Sequence, residues 1–337
     1  MVKVKPTILF STYGGHKLGT GHIFRDLELV ESLKPHTKAV FHINSSDRAF
    51  NIFHKRGVNQ VLRGSLRKAV QQSNPDLIIY DRPYALGRMA ETGKSKGIKV
   101  IALDYFYYDD GRVNANISIK NHHIEKCEKV RIENIYEGTK YAIIREEILK
   151  QRNKKSKPNK EVKNILITFG GADPRNNTQK AIQLLNSISS KRFNVIILIG
   201  DIFRKGLGYC LKERIHNYTI KNRVLEIGPL MSWADLAFCG GGTTMMELLC
   251  IGCPLVVIPQ TKGELELARS VAEKEAILLL ECRSFSNSDR NKVEELIQNP
   301  SLRGEMCTKG MELFDGTGKS RIKKIILNEL KKGMLDA

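Results

Sequence analysis

Ala234-Asp235-Leu236-Ala237-Phe238-Cys239-Gly240-Gly241-Gly242-Thr243-Thr244-Met245-Met246-Glu247-Leu248-Leu249-Cys250-Ile251-Gly252-Cys253-Pro254-Leu255-Val256-Val257-Ile258-Pro259 is the stretch on which the reading of this chain turns. A short apolar run, Leu236 to Cys239, meets three glycines and two threonines, and a helical pattern follows until Gly252 and Pro254 stop it. Leu255 to Ile258 then reads as a second buried strand. Strand, glycine loop, helix and strand is the local order of an α/β protein. Two readings of the loop stand side by side: a tight strand-to-helix turn, or a cradle in which close-approach glycines and a helix N-terminus hold an anion. Thr243 or Thr244 can cap the helix, and Glu247 lies one turn further on, facing the same end.

The chain has 337 residues, 41% of them hydrophobic and 27% charged, which is enough for two cores. No apolar run reaches the roughly 20 residues of a membrane span. Met1 to Pro6 leads straight into the strand Thr7-Ile8-Leu9-Phe10 without a signal-peptide core, so the expected location is cytoplasmic. Seven scattered cysteines include one close pair, Cys250 and Cys253, whose spacing follows from the helix stop, and they read as buried apolar residues. No metal or other cofactor is expected. The net charge of +19 has two explanations: a lysine-rich solvated surface, or a basic face for an anionic substrate or transient contact with an anionic membrane. No nucleic-acid-binding motif stands in the chain, and no such partner is expected.

The N-terminal half alternates. Thr7 to Thr12 reads as a strand, Gly21 to Leu33 as a helix, Ala39 to Ile43 as a strand, Asp47 to His54 as a helix and Gln60 to Leu62 as a strand. Leu66 to Ser73 follows as a helix, Asp76 to Tyr80 as a strand ending at Asp81, Tyr84 to Ser95 as a helix, and Lys99 to Leu103 as a strand ending at Asp104. The rhythm then breaks at Tyr105-Phe106-Tyr107-Tyr108-Asp109-Asp110. Leu149 to Lys163 is polar and basic and reads as a linker. Asn164 to Phe169 restarts the pattern with Gly170-Gly171-Ala172-Asp173-Pro174 behind it. The helix Asn177–Ser187, the strand Val195–Ile199, the helix Phe203–Ile215, the strand Arg223–Ile227 and the opening stretch follow, and further helices close the chain. These alternations predict two domains, residues 1–149 and 164–337 around a linker at 150–163, each a parallel sheet with a glycine loop after its first strand, facing a central cleft.

Tyr13-Gly14-Gly15-His16-Lys17-Leu18-Gly19-Thr20-Gly21-His22 has Gly14 and Gly19 at P-loop spacing but lacks the Lys-Ser/Thr pair, and it is no dinucleotide fingerprint either. What remains is a histidine opening a helix behind close-approach glycines. The helix dipole there favours a neutral imidazole, which can accept a proton. His22 is therefore the candidate base, with His16 a competitor and a turn-capping role the alternative. Asp81 and Asp104 end buried strands and either orient such a base, bind sugar hydroxyls, or cap helices. Tyr105, Tyr107 and Tyr108 either stack on a sugar or cover a sheet edge.

Four blocks together resemble a family. Gly19-Thr20-Gly21-His22-Ile23-Phe24-Arg25 is similar to the G-x-G-H-x-x-R start of the UDP-sugar hydrolase of pseudaminic acid biosynthesis. Tyr141-Ala142-Ile143-Ile144-Arg145-Glu146-Glu147 resembles its Y-A-L-L-R-x-E, Phe169 to Pro174 its F-G-G-x-D-P, and the opening stretch its A-D-L-A-I-x-x-G-G-T-T-x-x-E-L. The last block is shared with the wider GT-B glycosyltransferases, such as the lipid II-forming N-acetylglucosaminyltransferase. The resemblance implies a GT-B fold, α/β with two Rossmann-like domains, and inverting hydrolysis of a UDP-sugar to UDP and a free amino sugar. Such a product would serve a pseudaminic-type acid or surface polysaccharide.

His22 would be the general base, with Asp81 its catalytic partner. Gly19, Thr20, Gly21, Arg25 and Tyr84 would meet the substrate on that side. Gly241, Gly242, Thr243 and Thr244 would hold the diphosphate, with Gly170 and Gly171 close by; Glu247 would bind the ribose, and the Gly228-Pro229-Leu230-Met231 loop would meet the uracil. The pattern departs at Gly263-Glu264, where the family has Asn-Gln; these two positions are kept as substrate-binding, and they leave the sugar and the acceptor open. A GT-B glycosyltransferase passing the sugar to a lipid or polysaccharide is therefore the alternative. A sugar-nucleotide-binding protein without catalysis is the third reading, and His22 with two glycine loops argues against it.

Overall fold

Thr-Ile-Leu-Phe-Ser-Thr at Thr7–Thr12 (β1) is buried from its second residue on, as a strand flanked by partners on both edges and helices on both faces must be. In a computed structural model of the chain, which describes residues 5–14, 21–43, 47–82, 93, 96–103, 116–119, 134–152, 154, 159–171, 173–188, 192–200, 216–222, 224, 226–281 and 284–335, it sits inside a parallel sheet. The other strands of that sheet are Lys38–Ile43 (β2), Val61–Arg63 (β3), Leu77–Asp81 (β4), Lys99–Leu103 (β5), Ile117–Ile119 (β6) and Asn134–Tyr136 (β7). Their order is β3-β2-β1-β4-β5-β6-β7, so the direction of winding reverses between β1 and β4. There Thr12 lies opposite Asp81 in the register. At such a reversal the loops leave in opposite directions and polar groups at the strand ends become accessible to one another.

Helix Gly21–Leu33 (α1) follows β1, burying Ile23, Leu29 and Leu33 against it. Asp47–Lys55 (α2) and Leu66–Ser73 (α3) follow β2 and β3; Ser65 caps α3, and Asn74, at φ 41°, ends it in the left-handed region. The last helix of the chain, Gly318–Leu335, also belongs here. Ile322, Ile326 and Leu330, one helical turn apart, are buried among Ile8, Phe10, Leu29 and Ile143, and Lys319 Nζ donates to Glu28 Oε2 at 3.0 Å. The expected second domain ran to residue 337. The compact units instead divide at Ile143/Ile144, and residues 317–337 return to the first unit.

The second unit, mainly Ile144–Gly316, repeats the plan. Asn164–Thr168 (β8), Asn194–Ile199 (β9), Asn217–Asn222 (β10), Leu236–Cys239 (β11), Leu255–Val257 (β12) and Leu278–Leu279 (β13) form a parallel sheet in the order β10-β9-β8-β11-β12-β13. Here the reversal lies between β8 and β11, the strands that carry the two glycine loops. The expected linker is part of this unit. Arg303, fully buried, donates to the carbonyls of Asn159 and Lys160 and to those of Leu296 and Ile297, and Asp235 accepts from the Lys163 and Asn164 amides.

Three further expectations need correction. The strand expected at Arg223–Ile227 is Asn217–Asn222, an edge strand with one solvated side, whose Asn-Tyr-Thr-Ile-Lys-Asn reads as polar loop although Tyr218 packs on the core. Gly228–Met231, expected as a loop, opens a helix, Gly228–Trp233, with Pro229 in its first turn, where a missing N–H is harmless. The short strands β6, β7 and β13 were not expected, being two or three residues long. The helices expected at Phe203–Ile215 and, apart from Gly93, at Tyr84–Ser95 lie outside the described residues. Among the described residues no helix is long and apolar enough to cross a membrane.

Candidate active site

In the first unit, α1 begins directly behind β1, and its first turn points polar side chains at the end of β4. Asp81, the last residue of β4, is fully buried. Its Oδ1 lies 2.8 Å from His22 Nδ1, its Oδ2 accepts from Arg25 Nε at 2.6 Å, and Arg25 Nη2 donates to Oδ1 as well. His22 and Arg25 share a face because they are one turn apart on α1. Burial works against the charge on Asp81, but Arg25 and then His22, by charge and hydrogen bonding, hold its carboxyl well below the usual carboxylate range. A permanent carboxylate at Nδ1 assigns the imidazole proton to Nδ1 and leaves the Nε2 lone pair free to take a proton. His22 keeps 13% of its side chain exposed.

Arg25, expected to meet substrate, grips Asp81 in this structure: it is 7% exposed, and its Nη2 also lies 2.9 Å from His22 Nδ1. On the neighbouring strand β2, His42 is held between Ser11 Oγ at 3.1 Å and the Gly64 carbonyl at 2.9 Å. Burial pushes its imidazole down to about 4, so it is a neutral hydrogen-bonding strut.

In the second unit the glycine loop after β11 leads into helix Thr243–Cys250. Gly241 is obligatory, because a Cβ there would strike the Glu264 backbone; at Gly242 a Cβ would meet only Glu264 Oε1 at 3.4 Å, an ordinary contact. The close approach these glycines permit is thus that of helix Lys262–Ala272, whose first turn holds Gly263 and Glu264 and is capped by Thr261. Glu264 Oε2 accepts from Gly241 N at 3.1 Å and from Gln260 N at 2.8 Å. Among the described residues, the amides of Gly242, Thr243 and Thr244 make no hydrogen bond; they are the open N–H groups of a helix start that has no side-chain cap. The Glu264 carboxyl group therefore already occupies the neighbouring amide, that of Gly241. Burial pushes the Glu264 carboxyl up, and the two amide bonds and Arg175 act in the opposite sense.

Glu247, 2% exposed, is gripped by Arg145: Nε donates to Oε1 at 2.6 Å and Nη2 to Oε2 at 2.7 Å. Arg145 also pairs with Glu147 at 3.0 Å, and Glu147 Oε2 accepts from Gly228 N at 3.3 Å. Arg145 and Glu147 are thereby tied to the helix behind the glycine loop and to the start of helix Gly228–Trp233. Arg145 was not expected as a site residue, although it fills the arginine of the Y-A-L-L-R-x-E block; that match was the signal in the sequence. Of the expected uracil-facing positions, Gly228 has its amide taken, Leu230 is half-buried and Met231 is fully buried.

Gly170 (φ 72°) and Gly171 form a turn against which Gly200 packs without room for a side chain. The block around them also has a structural part. Asp173, itself at φ 41°, accepts from the amides of Asn177 and Thr178 at 2.7 and 2.9 Å and caps helix Asn177–Ile188. Asp173→Ala is expected to lower stability by about 1–2 kcal/mol in urea denaturation, and Asp173→Asn to restore most of it. Gly19, Thr20, His16, Tyr84, Asp104, Tyr105, Tyr107, Tyr108, Asp109 and Asp110 lie outside the described residues, whereas Gly21 opens α1. Among the described residues no group of three metal-binding side chains stands together.

Residues 144–315 match the model of the glycosyltransferase family 28 C-terminal domain. The uncharacterized protein MJ1062 of Methanocaldococcus jannaschii is 28% identical over 77% of this chain, which spans only 57% of that protein's length. The spore coat polysaccharide biosynthesis protein SpsG of Bacillus subtilis is 23% identical over 93% of the chain and 95% of its own length. Among solved structures, MurG of Acinetobacter baumannii superposes with a TM-score of 0.69 at 14% identity, over 96% of this chain and 100% of its own. Anabaena Alr3699/HepE, solved in complex with UDP and glucose, does so with 0.64 at 16% identity, over 96% and 100%. The α/β fold with two parallel sheets is that of GT-B glycosyltransferases.

Proposed function

Because the chain belongs to the family of the glycosyltransferase family 28 C-terminal domain, we propose that this glycosyltransferase-like protein is an inverting UDP-sugar hydrolase. One observation carries the reading: an imidazole whose Nδ1 is bound to a buried, charge-stabilised Asp81 and whose Nε2 has no hydrogen-bond partner among the described residues. In this reading His22 Nε2 takes a proton from water as the water oxygen attacks the anomeric carbon. The bond from that carbon to the diphosphate oxygen breaks, its electron pair leaves with UDP, and the sugar is released inverted. The Asp81 carboxylate stabilises the imidazolium that forms, and Arg25 keeps Asp81 ionised and in place. The open amides of Gly242, Thr243 and Thr244 receive the diphosphate at a helix N-terminus, which offsets the charge of the leaving group. The solved Anabaena structure with UDP and glucose and the polysaccharide role in the SpsG name support a nucleotide-sugar substrate and a product used for polysaccharide, whereas a pseudaminic-type acid rests on the motif resemblance alone.

Transfer of the sugar to a lipid or polysaccharide is the second reading, favoured by the glycosyltransferase family match and by Glu264 standing where the resembling hydrolases carry an amide. Incubation with a panel of UDP-sugars, with and without lipid acceptors, decides between them. UDP and free sugar released in plain buffer support hydrolysis, and release that needs an acceptor supports transfer. No release under either condition removes both.

Glu264 makes a separate prediction. Its carboxylate repels a diphosphate on the neighbouring amides, whereas a glutamine keeps the acceptor for Gly241 and Gln260 and loses the charge. Glu264→Gln is expected to strengthen UDP binding roughly tenfold, the size of a partly screened charge contact. Since burial raises the Glu264 carboxyl, the wild-type protein is charged there above that raised value and gains UDP affinity as the pH falls through it. The wild-type to variant ratio measured by calorimetry shrinks accordingly. A ratio constant with pH would refute the assignment.

A further inference from the structure

Behind the His22–Asp81–Arg25 cluster lies a carboxyl group that none of the roles above uses. Asp26 follows Arg25 on α1, is completely buried, and neither of its oxygens has a hydrogen-bond donor. The Thr12 hydroxyl, at the end of β1 and equally buried, is without a partner as well. The Asp81 carboxylate from β4 and the Thr12 hydroxyl from β1 both lie within side-chain reach of Asp26 without an aligned hydrogen bond; burial and Asp81 favour its neutral form, and Arg25 from its own helix and Thr12 favour the charged one. Arg25 spends its Nε and Nη2 donors on Asp81. Two carboxyl groups in contact in a buried site cannot both remain ionised, and one proton between them turns a repulsion into a hydrogen bond. Asp81 is held as the anion by Arg25 and His22, so the proton belongs on Asp26.

We propose that Asp26 is a positioning residue, a neutral carboxylic acid that donates its O–H to Asp81 and so fixes the face Asp81 presents to His22. The proposal fits the direction in which burial, first, and the Asp81 charge, second, push the Asp26 carboxyl, well above the usual carboxylate range. It also accounts for an oxygen pair that would otherwise be buried at a large cost without compensation. In chemical terms Asp81 then holds four donors: the imidazole N–H, two guanidinium N–H groups and the Asp26 O–H. Its orientation is set before any substrate arrives, which is what proton transfer at His22 needs. Asp26 itself neither gains nor loses a proton in the cycle.

The kinetic arm of the test rests on His22 acting as the base, and the spectroscopic arm does not. In the infrared difference spectrum of wild type minus Asp26→Asn at neutral pH, a protonated-carboxyl C=O band is expected in the wild type and absent from the variant. A spectrum without that band, or one in which it survives the substitution, overturns the proposal whether or not any sugar nucleotide is turned over. Asparagine keeps a donor for Asp81, whereas alanine removes it. With the UDP-sugar that the panel identifies, Asp26→Ala is expected to lower kcat more than tenfold with KM little changed, and Asp26→Asn to recover most of that loss. Equal damage from both variants would mean that the carboxylic acid does more than donate a hydrogen bond, and would overturn the positioning role. Thermal melts of each variant verify folding. Asp26→Asn is expected to melt above the wild type by a margin that widens as the pH rises, because a raised carboxyl group destabilises the fold progressively toward higher pH. A margin that narrows instead would place a stabilised carboxylate at Asp26 and refute the proposal.

Discussion

His22→Asn is expected to lower the rate of UDP release by about 10²–10⁴-fold, the contribution of a positioned general base, with UDP affinity unchanged within experimental scatter. The split follows from where the groups stand. His22 belongs to the first unit, and the amides assigned to the diphosphate belong to helix Thr243–Cys250 of the second. Asparagine can imitate the Nδ1 hydrogen bond to Asp81 but offers no basic nitrogen at the Nε2 position. Asp81→Asn should approach the same loss by another route. An amide in place of the carboxylate no longer dictates the Nδ1 proton, and it leaves Arg25 buried beside a neutral partner. The two defects are expected to be far from additive, since each disables one unit of chemistry. Steady-state kinetics of the single and double variants, with calorimetry for UDP, make the comparison. Full turnover by His22→Asn would remove the base from this position.

The sequence carried the plan of the two sheets because buried parallel strands write themselves as apolar runs: Ile8–Phe10, Leu77–Tyr80, Ile165–Ile167 and Leu236–Cys239 are buried throughout. It misplaced strand Asn217–Asn222, which alternates polar residues at a sheet edge, and it let helix Gly318–Leu335 run on in the second domain. Nothing local records that Ile322, Ile326 and Leu330 meet Ile8 and Phe10 some three hundred residues away. The His22–Asp81 pair was legible because a helix start and a strand end each announce themselves, and parallel topology brings them together. That Arg25 grips Asp81 was not legible, because its motif says that it matters and not which way it faces. Glu264 stood out as a departure, yet that it closes onto the glycine loop is a fact of packing. Asp26 left no trace, since a buried carboxyl without donors is visible only once its neighbours are known.

Arg145→Met is expected to destabilise the second unit by about 3–5 kcal/mol, the largest stability effect among these substitutions. Arg145 holds both oxygens of Glu247, 2.6 and 2.7 Å away, and Glu247 is buried to 2% exposure in the helix that starts at the glycine loop. Removing the guanidinium strands an anion where water cannot solvate it, and a bidentate contact has no partial substitute. Glu247→Gln, which keeps one acceptor oxygen and discards the charge, should cost less. Arg145→Met combined with Glu247→Leu should recover most of the stability, because the penalty lies in the unpaired charge more than in the lost contact. Urea denaturation of the four proteins gives the cycle. A loss below about 1 kcal/mol for Arg145→Met would mean that the pair is solvated like a surface salt bridge. The double variant carries a further consequence for UDP. If Glu247 meets the ribose, as the family resemblance implies, a refolded helix with leucine at that position binds UDP more weakly than the wild type despite its recovered stability. If Glu247 only anchors the helix, affinity returns with the fold. The same protein thus separates a carboxylate that holds the nucleotide from one that holds the loop.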